Sequence, residues 1–132
     1  MKKLDGIQIL LVDDNEDNLE LLQLSLEMEG AHVKGAASAT AALERVNQSI
    51  PDVLVSDLTL PDEDGCALLA RLRTLPGLGD LPAVAVTGHS DSTQRERAQR
   101  AGFGAYVVKP VELAQLTLEI SKLVRAHRVA AS

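Results

Sequence analysis

Short apolar runs alternate along this chain with stretches whose apolar residues recur every three or four positions. Ile7 to Val12 reads as a buried strand. Asn15 to Glu29 then reads as a helix, with Leu19, Leu22 and Leu26 on one face, Leu21 and Met28 beside them, and Glu16, Glu20 and Glu27 pointing outward. Asp14 or Asn15 caps this helix and Gly30 ends it. His32 to Ala36 is a weak strand, and Ser38 caps a second helix through Ala42, Leu43 and Val46. Asp52 to Ser56 is the next strand. After the turn Pro61-Asp62-Glu63-Asp64-Gly65, a helix runs from about Cys66 to Arg73. Ala83 to Val86 is the fourth strand, and Asp91 or Ser92 caps a polar helix that ends near Gly102. With so few apolar positions, that helix is expected to be the least firmly docked element. Ala105 to Val108 is the last strand. Val111 to about His127 is the last helix, with Leu113, Leu116, Ile120, Leu123 and Val124 inward and Ala130-Ala131-Ser132 as a frayed end.

Strands that are continuous apolar runs, alternating with helices, predict a parallel sheet covered on both faces. The expected fold is a single doubly wound, flavodoxin-like α/β domain with a five-stranded parallel sheet. It would occupy residues 1–132, with a core over about 7–127. In such sheets ligands bind beyond the carboxyl ends of the strands.

Those ends carry the chemistry. Val12 is followed by Asp13-Asp14, Val55 by Ser56-Asp57, Val86 by Thr87 and Val108 by Lys109-Pro110. Two unit charges ~4 Å apart repel by roughly 4 kcal/mol at an effective dielectric of ~20, so clustered carboxylates need positive charge against them. Three carboxylates, a hydroxyl and an ammonium on one edge suit a divalent cation and a phosphoryl group.

Composition narrows the rest. At 132 residues the chain is one domain's worth, and 45% hydrophobic with 24% charged residues is globular. A net charge of −6 argues against a nucleic-acid surface. Phe103 and Tyr106 are the only aromatics, so an aromatic near the site carries weight. Cys66 is the single cysteine, which excludes an intrachain disulfide and reads as a small buried hydrophobe. Asp5 and Gln8 interrupt any signal-like start, and no stretch approaches the ~18 apolar residues of a membrane span. The chain is expected to be soluble and cytoplasmic, without membrane insertion.

Val12-Asp13-Asp14, Asp57-Leu58-Thr59-Leu60-Pro61 with Gly65, Thr87-Gly88, and Tyr106-Val107-Val108-Lys109-Pro110 together resemble the receiver domain of two-component response regulators. The likeness extends to the chemotaxis response regulator and to receiver modules of hybrid sensor histidine kinases. It spans about Ile7 to Leu123, and the order of the fragments is what makes it specific. The resemblance implies that Asp57 accepts a phosphoryl group from a phosphohistidine. It implies a Mg²⁺ ion bound by Asp14 directly, by Asp13 mainly through water, by Asp57, and by the backbone carbonyl of Thr59. Thr87 and Lys109 would hold phosphoryl oxygens, and Tyr106 would be the switch aromatic that turns inward as Thr87 moves. Gly88 would leave room for the donor, and His89 would sit where it could modulate water access.

The implied partners are a sensor histidine kinase or histidine phosphotransfer protein and a downstream protein target, with no nucleic-acid contact. The chain would be a monomer or weak dimer that catalyses only its own phosphorylation and dephosphorylation. Taken singly, each fragment has a plainer explanation: Asp13-Asp14 as a helix cap, Asp57 as a loop residue, Lys109 as a surface lysine, Tyr106 as core. His32, His89 and His127 share no metal-ligand spacing.

Some positions depart from the family's common pattern. Thr59-Leu60 replaces a frequent Met-rich pair, and Val111 stands where DNA-binding regulators often have Phe. No output domain is expected after the last helix, and Leu4-Asp5-Gly6 resembles the lead-in of hybrid-kinase modules, which leaves an excised and a free-standing module equally open.

Two other functions fit less well. A phosphatase of the haloacid dehalogenase type needs a second Asp two residues after its nucleophile, and Thr59 stands there. A flavodoxin-type cofactor carrier needs a hydroxyl- and Gly-rich loop after the first strand. Asp13-Asp14-Asn15-Glu16-Asp17 would repel its phosphate.

Overall fold

A computed structural model of the chain describes residues 2–88 and 91–131. Five strands, β1 (Gln8–Val12), β2 (His32–Ala36), β3 (Val53–Asp57), β4 (Ala83–Thr87) and β5 (Ala105–Val108), alternate with five helices. These are α1 (Glu16–Met28), α2 (Ala39–Val46), α3 (Gly65–Leu72), α4 (Ser92–Ala101) and α5 (Leu113–Ala131). All strand pairs are parallel, in the order β2-β1-β3-β4-β5. From β1 the chain adds β2 on one side and then β3, β4 and β5 in order on the other, so the topological switch lies between β1 and β3.

Alternate strand residues feed two separate apolar layers, as the two-residue period of a strand requires. Leu10, Val12, Leu54, Ala83 and Ala85 pack against α2, α3 and α4 through Ala42, Leu68, Leu69, Leu72 and Ala98. Ile9, Leu11, Val53, Val55, Val84, Val86 and Val107 pack against α1 and α5 through Leu26, Leu116, Ile120 and Val124. β3, covered on both faces, is buried at every position. Four helices start on a side-chain cap: Asn15, Ser38, Asp64 and Asp91 each accept a backbone N–H three residues on. Each cap satisfies a donor that the helix geometry leaves without a partner.

Three details differ from the sequence reading. Leu21 and Met28 are 64% and 74% exposed, so only the Leu19, Leu22 and Leu26 stripe of α1 faces the sheet. One residue along a helix turns about 100°, which is enough to swing a leucine from core to solvent. α5 continues to Ala131 rather than fraying at Ala130. It also buries Thr117 and Ser121 on its inner face, positions an apolar stripe does not reveal.

The loop after β3 is fastened by a residue that the sequence offered only as part of a turn. The Asp62 carboxylate accepts the backbone N–H groups of Ala39 and Thr40 and the Thr40 hydroxyl, at 2.7 to 3.0 Å. Hydrogen bonds from the Thr40 hydroxyl and N–H, and from the Ala39 N–H, hold its carboxyl far below the ordinary carboxylate range. A depressed carboxyl contributes stability above its unfolded pKa, and that contribution is lost as pH falls through the folded value. Asp62→Asn should therefore lower the melting temperature at pH 7 and narrow the gap to wild type below about pH 4. Thermal melts across that range check this, and a gap unchanged with pH would contradict it.

Candidate functional site

The sheet register brings the strand-end residues together. Val12 pairs with Ser56, Asp57 with Val86 and Thr87 with Val108. Asp13, Asp57, Thr87 and Lys109 therefore lie side by side at the carboxyl edge, around the switch point. Asp13 (2% exposed), Asp57 (8%) and Thr87 (1%) are buried, whereas Asp14 is exposed. Carboxylate oxygens of Asp13, Asp14 and Asp57 all lie within 4.8 Å of one another.

Two buried carboxylates this close are tolerable because Lys109 reaches between them. Its Nζ lies 2.8 Å from Asp57 Oδ2 and 3.0 Å from Asp13 Oδ2. Burial pushes the Lys109 ammonium down, but the hydrogen bonds it donates to Asp57 and Asp13 outweigh that and raise its pKa above the ordinary lysine value. Lys109 thus stays charged throughout the neutral range. Local backbone supplies further positive ends. The Thr59 N–H donates to Asp57 Oδ1 at 3.0 Å and the Asn15 N–H to Asp13 Oδ1 at 2.9 Å. The Lys109-Pro110 peptide is cis.

Three carboxylates against one ammonium leave two negative charges, which is the balance a divalent cation cancels. The donor set is all oxygen, with Asp14 open to solvent, as suits a hard cation that keeps several waters. Asp13, Asp14 and Asp57 can hold such an ion.

Two close approaches shape the edge. Gly65, at the start of α3, donates its N–H to the Leu58 carbonyl at 2.8 Å. A Cβ at Gly65 would run into the Asp57 carbonyl and sit 3.1 Å from Leu58 Cα. Gly88 has open space around it, and His89 lies outside the described residues.

Tyr106 is half-buried on β5 beside the site, on the same sheet face as Thr87 and diagonal to it across the β4–β5 ladder. Arg95 of α4 lies over its ring, with Cζ 4.7 Å from the centroid. That contact links helix to strand across ten residues of sequence and leaves no signal in the chain's pattern. Cys66, half-buried on α3 against the core, has its thiol pushed up by burial. No helix among the described residues is long and apolar enough to cross a membrane.

A family model of the response regulator receiver domain matches residues 9–121. An uncharacterized 14.6 kDa protein from the sodA1 3' region of Leptolyngbya boryana is 40% identical over 130 residues, 98% of this chain and 96% of that protein. The signal transduction histidine-protein kinase BarA of Escherichia coli (strain K12) is 35% identical over 107 residues, 81% of this chain but only 12% of the kinase. Among solved structures, a CheY-like response regulator receiver domain protein from Methanospirillum hungatei superposes with a TM-score of 0.86 at 28% identity. That match covers 96% of this chain and 99% of the other. The chain belongs to the response regulator receiver domain family, the signal-receiving module of two-component systems.

Proposed function

We propose that Asp57 is the phosphoacceptor of this receiver domain, taking a phosphoryl group from a phosphohistidine on a sensor kinase or phosphotransfer protein. The observation that carries this reading is Lys109 bridging Asp57 and Asp13 at the carboxyl edge, with Asp14 close by. In the transfer, the donor nitrogen–phosphorus bond breaks as an Asp57 oxygen–phosphorus bond forms, and the imidazole departs with the bonding electrons. Phosphoryl transfer asks the protein mainly to position the groups and neutralise the equatorial oxygens. The Thr59 N–H and Lys109 Nζ fix the two Asp57 oxygens, so the carboxylate is oriented before the donor arrives. Asp13, Asp14, Asp57 and the Thr59 carbonyl would hold Mg²⁺, which when bound supplies charge for the phosphoryl oxygens. Lys109 would pair with one such oxygen and Thr87 would donate to another.

A cleft of about 500 Å³ opens from Asp13 and Lys109 and is walled by Asn18, Leu21, Leu22, Pro110 and Val111. Leu21, Leu24 and Met28 continue its apolar wall down the exposed side of α1. This is where a phosphodonor protein would present its histidine. On the other side of the site, the polar α4, β5 and α5 would form the surface that a downstream protein reads.

The reading is tested by incubation with acetyl phosphate followed by intact mass. Wild type with Mg²⁺ should gain one alkali-labile phosphoryl group, and EDTA or Asp57→Asn should each abolish it. Asp14→Ala should abolish labelling more completely than Asp13→Ala. Equal labelling in EDTA, or of Asp57→Asn, would sink the assignment.

A further inference from the structure

α4 lacks an apolar stripe: from Ser92 to Ala101 only Ala98 is buried. A helix of that kind has to be held by polar contacts, and three guanidinium groups supply them. Arg97 pairs with Asp64, the cap of α3. Arg73, at the end of α3, donates to the carbonyls of Leu81 at 2.7 Å and Gly102 at 3.1 Å, pinning the left-handed turn that closes α4. The third is Arg95. The first two grip the framework, whereas Arg95 alone grips a residue next to the site.

The Arg95 guanidinium and the Tyr106 ring share a polar groove of about 350 Å³ with Gln99, Gln115 and Glu119. Tyr106 in turn lies on the same sheet face as Thr87, diagonal to it across the β4–β5 ladder, where Ala85 pairs with Tyr106 and Thr87 with Val108. Thr87 is one residue beyond Val86, the β4 partner of Asp57. A line of neighbouring side chains, Arg95 to Tyr106 to Thr87, therefore runs from the α4 surface to the strand edge.

We propose that Arg95 is a latch on Tyr106: stacked on the ring, it holds Tyr106 beside Thr87 and opposes the shift of Thr87 toward a phosphorylated Asp57. The inference rests on the phosphoacceptor reading above. A contact made only in the resting arrangement biases the equilibrium against the phosphorylated one by its own differential worth. A cation over an aromatic face at a partly exposed site is worth about a twofold to fivefold shift. Arg95 touches no reacting atom, so its role is one of positioning. Lysine cannot replace it, because a compact, strongly hydrated ammonium stacks less well than a planar guanidinium.

The chain carries its own probe, since Tyr106 is the single tyrosine and there is no tryptophan. Tyrosine emission during a beryllofluoride titration in Mg²⁺ reads the movement of this one ring as the phosphoryl mimic binds. Wild type should respond and Asp57→Asn should not. Arg95→Ala should tighten the apparent affinity about twofold to fivefold, while the Arg97 and Arg73 anchors keep α4 docked. Arg95→Gln, which matches arginine in helix propensity, should shift it equally. Wild-type response with unchanged or weaker affinity in Arg95→Ala would overturn the latch alone. Tightening in Ala but not in Gln would assign the effect to helix propensity and overturn it too. No response in wild type would overturn the phosphoacceptor reading, and the latch with it.

Discussion

Lys109→Ala should slow acetyl phosphate labelling by about 100-fold while making the site bind Mg²⁺ more tightly. The two effects have opposite signs because the ammonium does two things. As a fixed positive group within 3.0 Å of both Asp57 and Asp13, it stands where charge develops on the transferring phosphoryl oxygens. Loss of one such donor typically costs ~100- to 1,000-fold. Without it the three carboxylates carry three negative charges instead of two, so a divalent cation is attracted more strongly. In EDTA the variant should also be less stable, by on the order of 3 kcal/mol, because two buried carboxylates lose their shared partner. Mg²⁺ should recover much of that loss. Labelling rates, calorimetric Mg²⁺ titration and urea melts with and without metal check the three parts. A variant that labels at the wild-type rate, or binds Mg²⁺ more weakly, would contradict this account of the charge balance.

Gly65→Ala should damage the site without removing any charge. The added methyl would meet the backbone carbonyl of Asp57 and press on Leu58 Cα at 3.1 Å. Neither is the flexible end of a side chain, so the loop that carries Asp57 and Thr59 must shift. Overpacking of this kind costs about 1–3 kcal/mol. The gain from replacing a helical glycine is at most ~1 kcal/mol. A displacement near 1 Å at a reacting group costs ~100-fold in rate, so labelling should fall at least tenfold even where the variant is fully folded. Urea melts and labelling rates measured on the same preparation separate the two losses. Wild-type stability together with wild-type labelling would show that the close approach of α3 to β3 has no role in placing Asp57.

Much of this was legible in the chain because a parallel sheet converts sequence order into spatial adjacency. Once Ile9 to Val12, Val53 to Val55, Val84 to Val86 and Tyr106 to Val108 are read as parallel strands, their final residues must share an edge. Asp13, Asp57, Thr87 and Lys109 do so. The cap at Ser38 was equally readable, and those at Asn15 and Asp91 were narrowed to one of two adjacent residues, because capping is a local matter of side chain and backbone. What stayed hidden depends on contacts distant in sequence or on rotation about a helix axis. Asp62 ties its loop to Ala39 and Thr40 across more than twenty residues. Leu21, Leu24 and Met28 are apolar yet face solvent, since periodicity marks a core stripe without saying which neighbouring leucines fall outside it. The stacking of Arg95 on Tyr106 requires knowing that α4 lies across β5.

The central claim is that the phosphoryl group resides on the Asp57 carboxylate. Borohydride reduction of acetyl-phosphate-treated protein, followed by peptide mass spectrometry, tests it most directly, because an aspartyl phosphate is reduced to homoserine whereas a free carboxylate or a phosphoserine is not. The account predicts homoserine at position 57, only in samples treated with both acetyl phosphate and Mg²⁺. An intact Asp57 in protein that carries the label, or reduction at Asp13 or Asp14 instead, would contradict it.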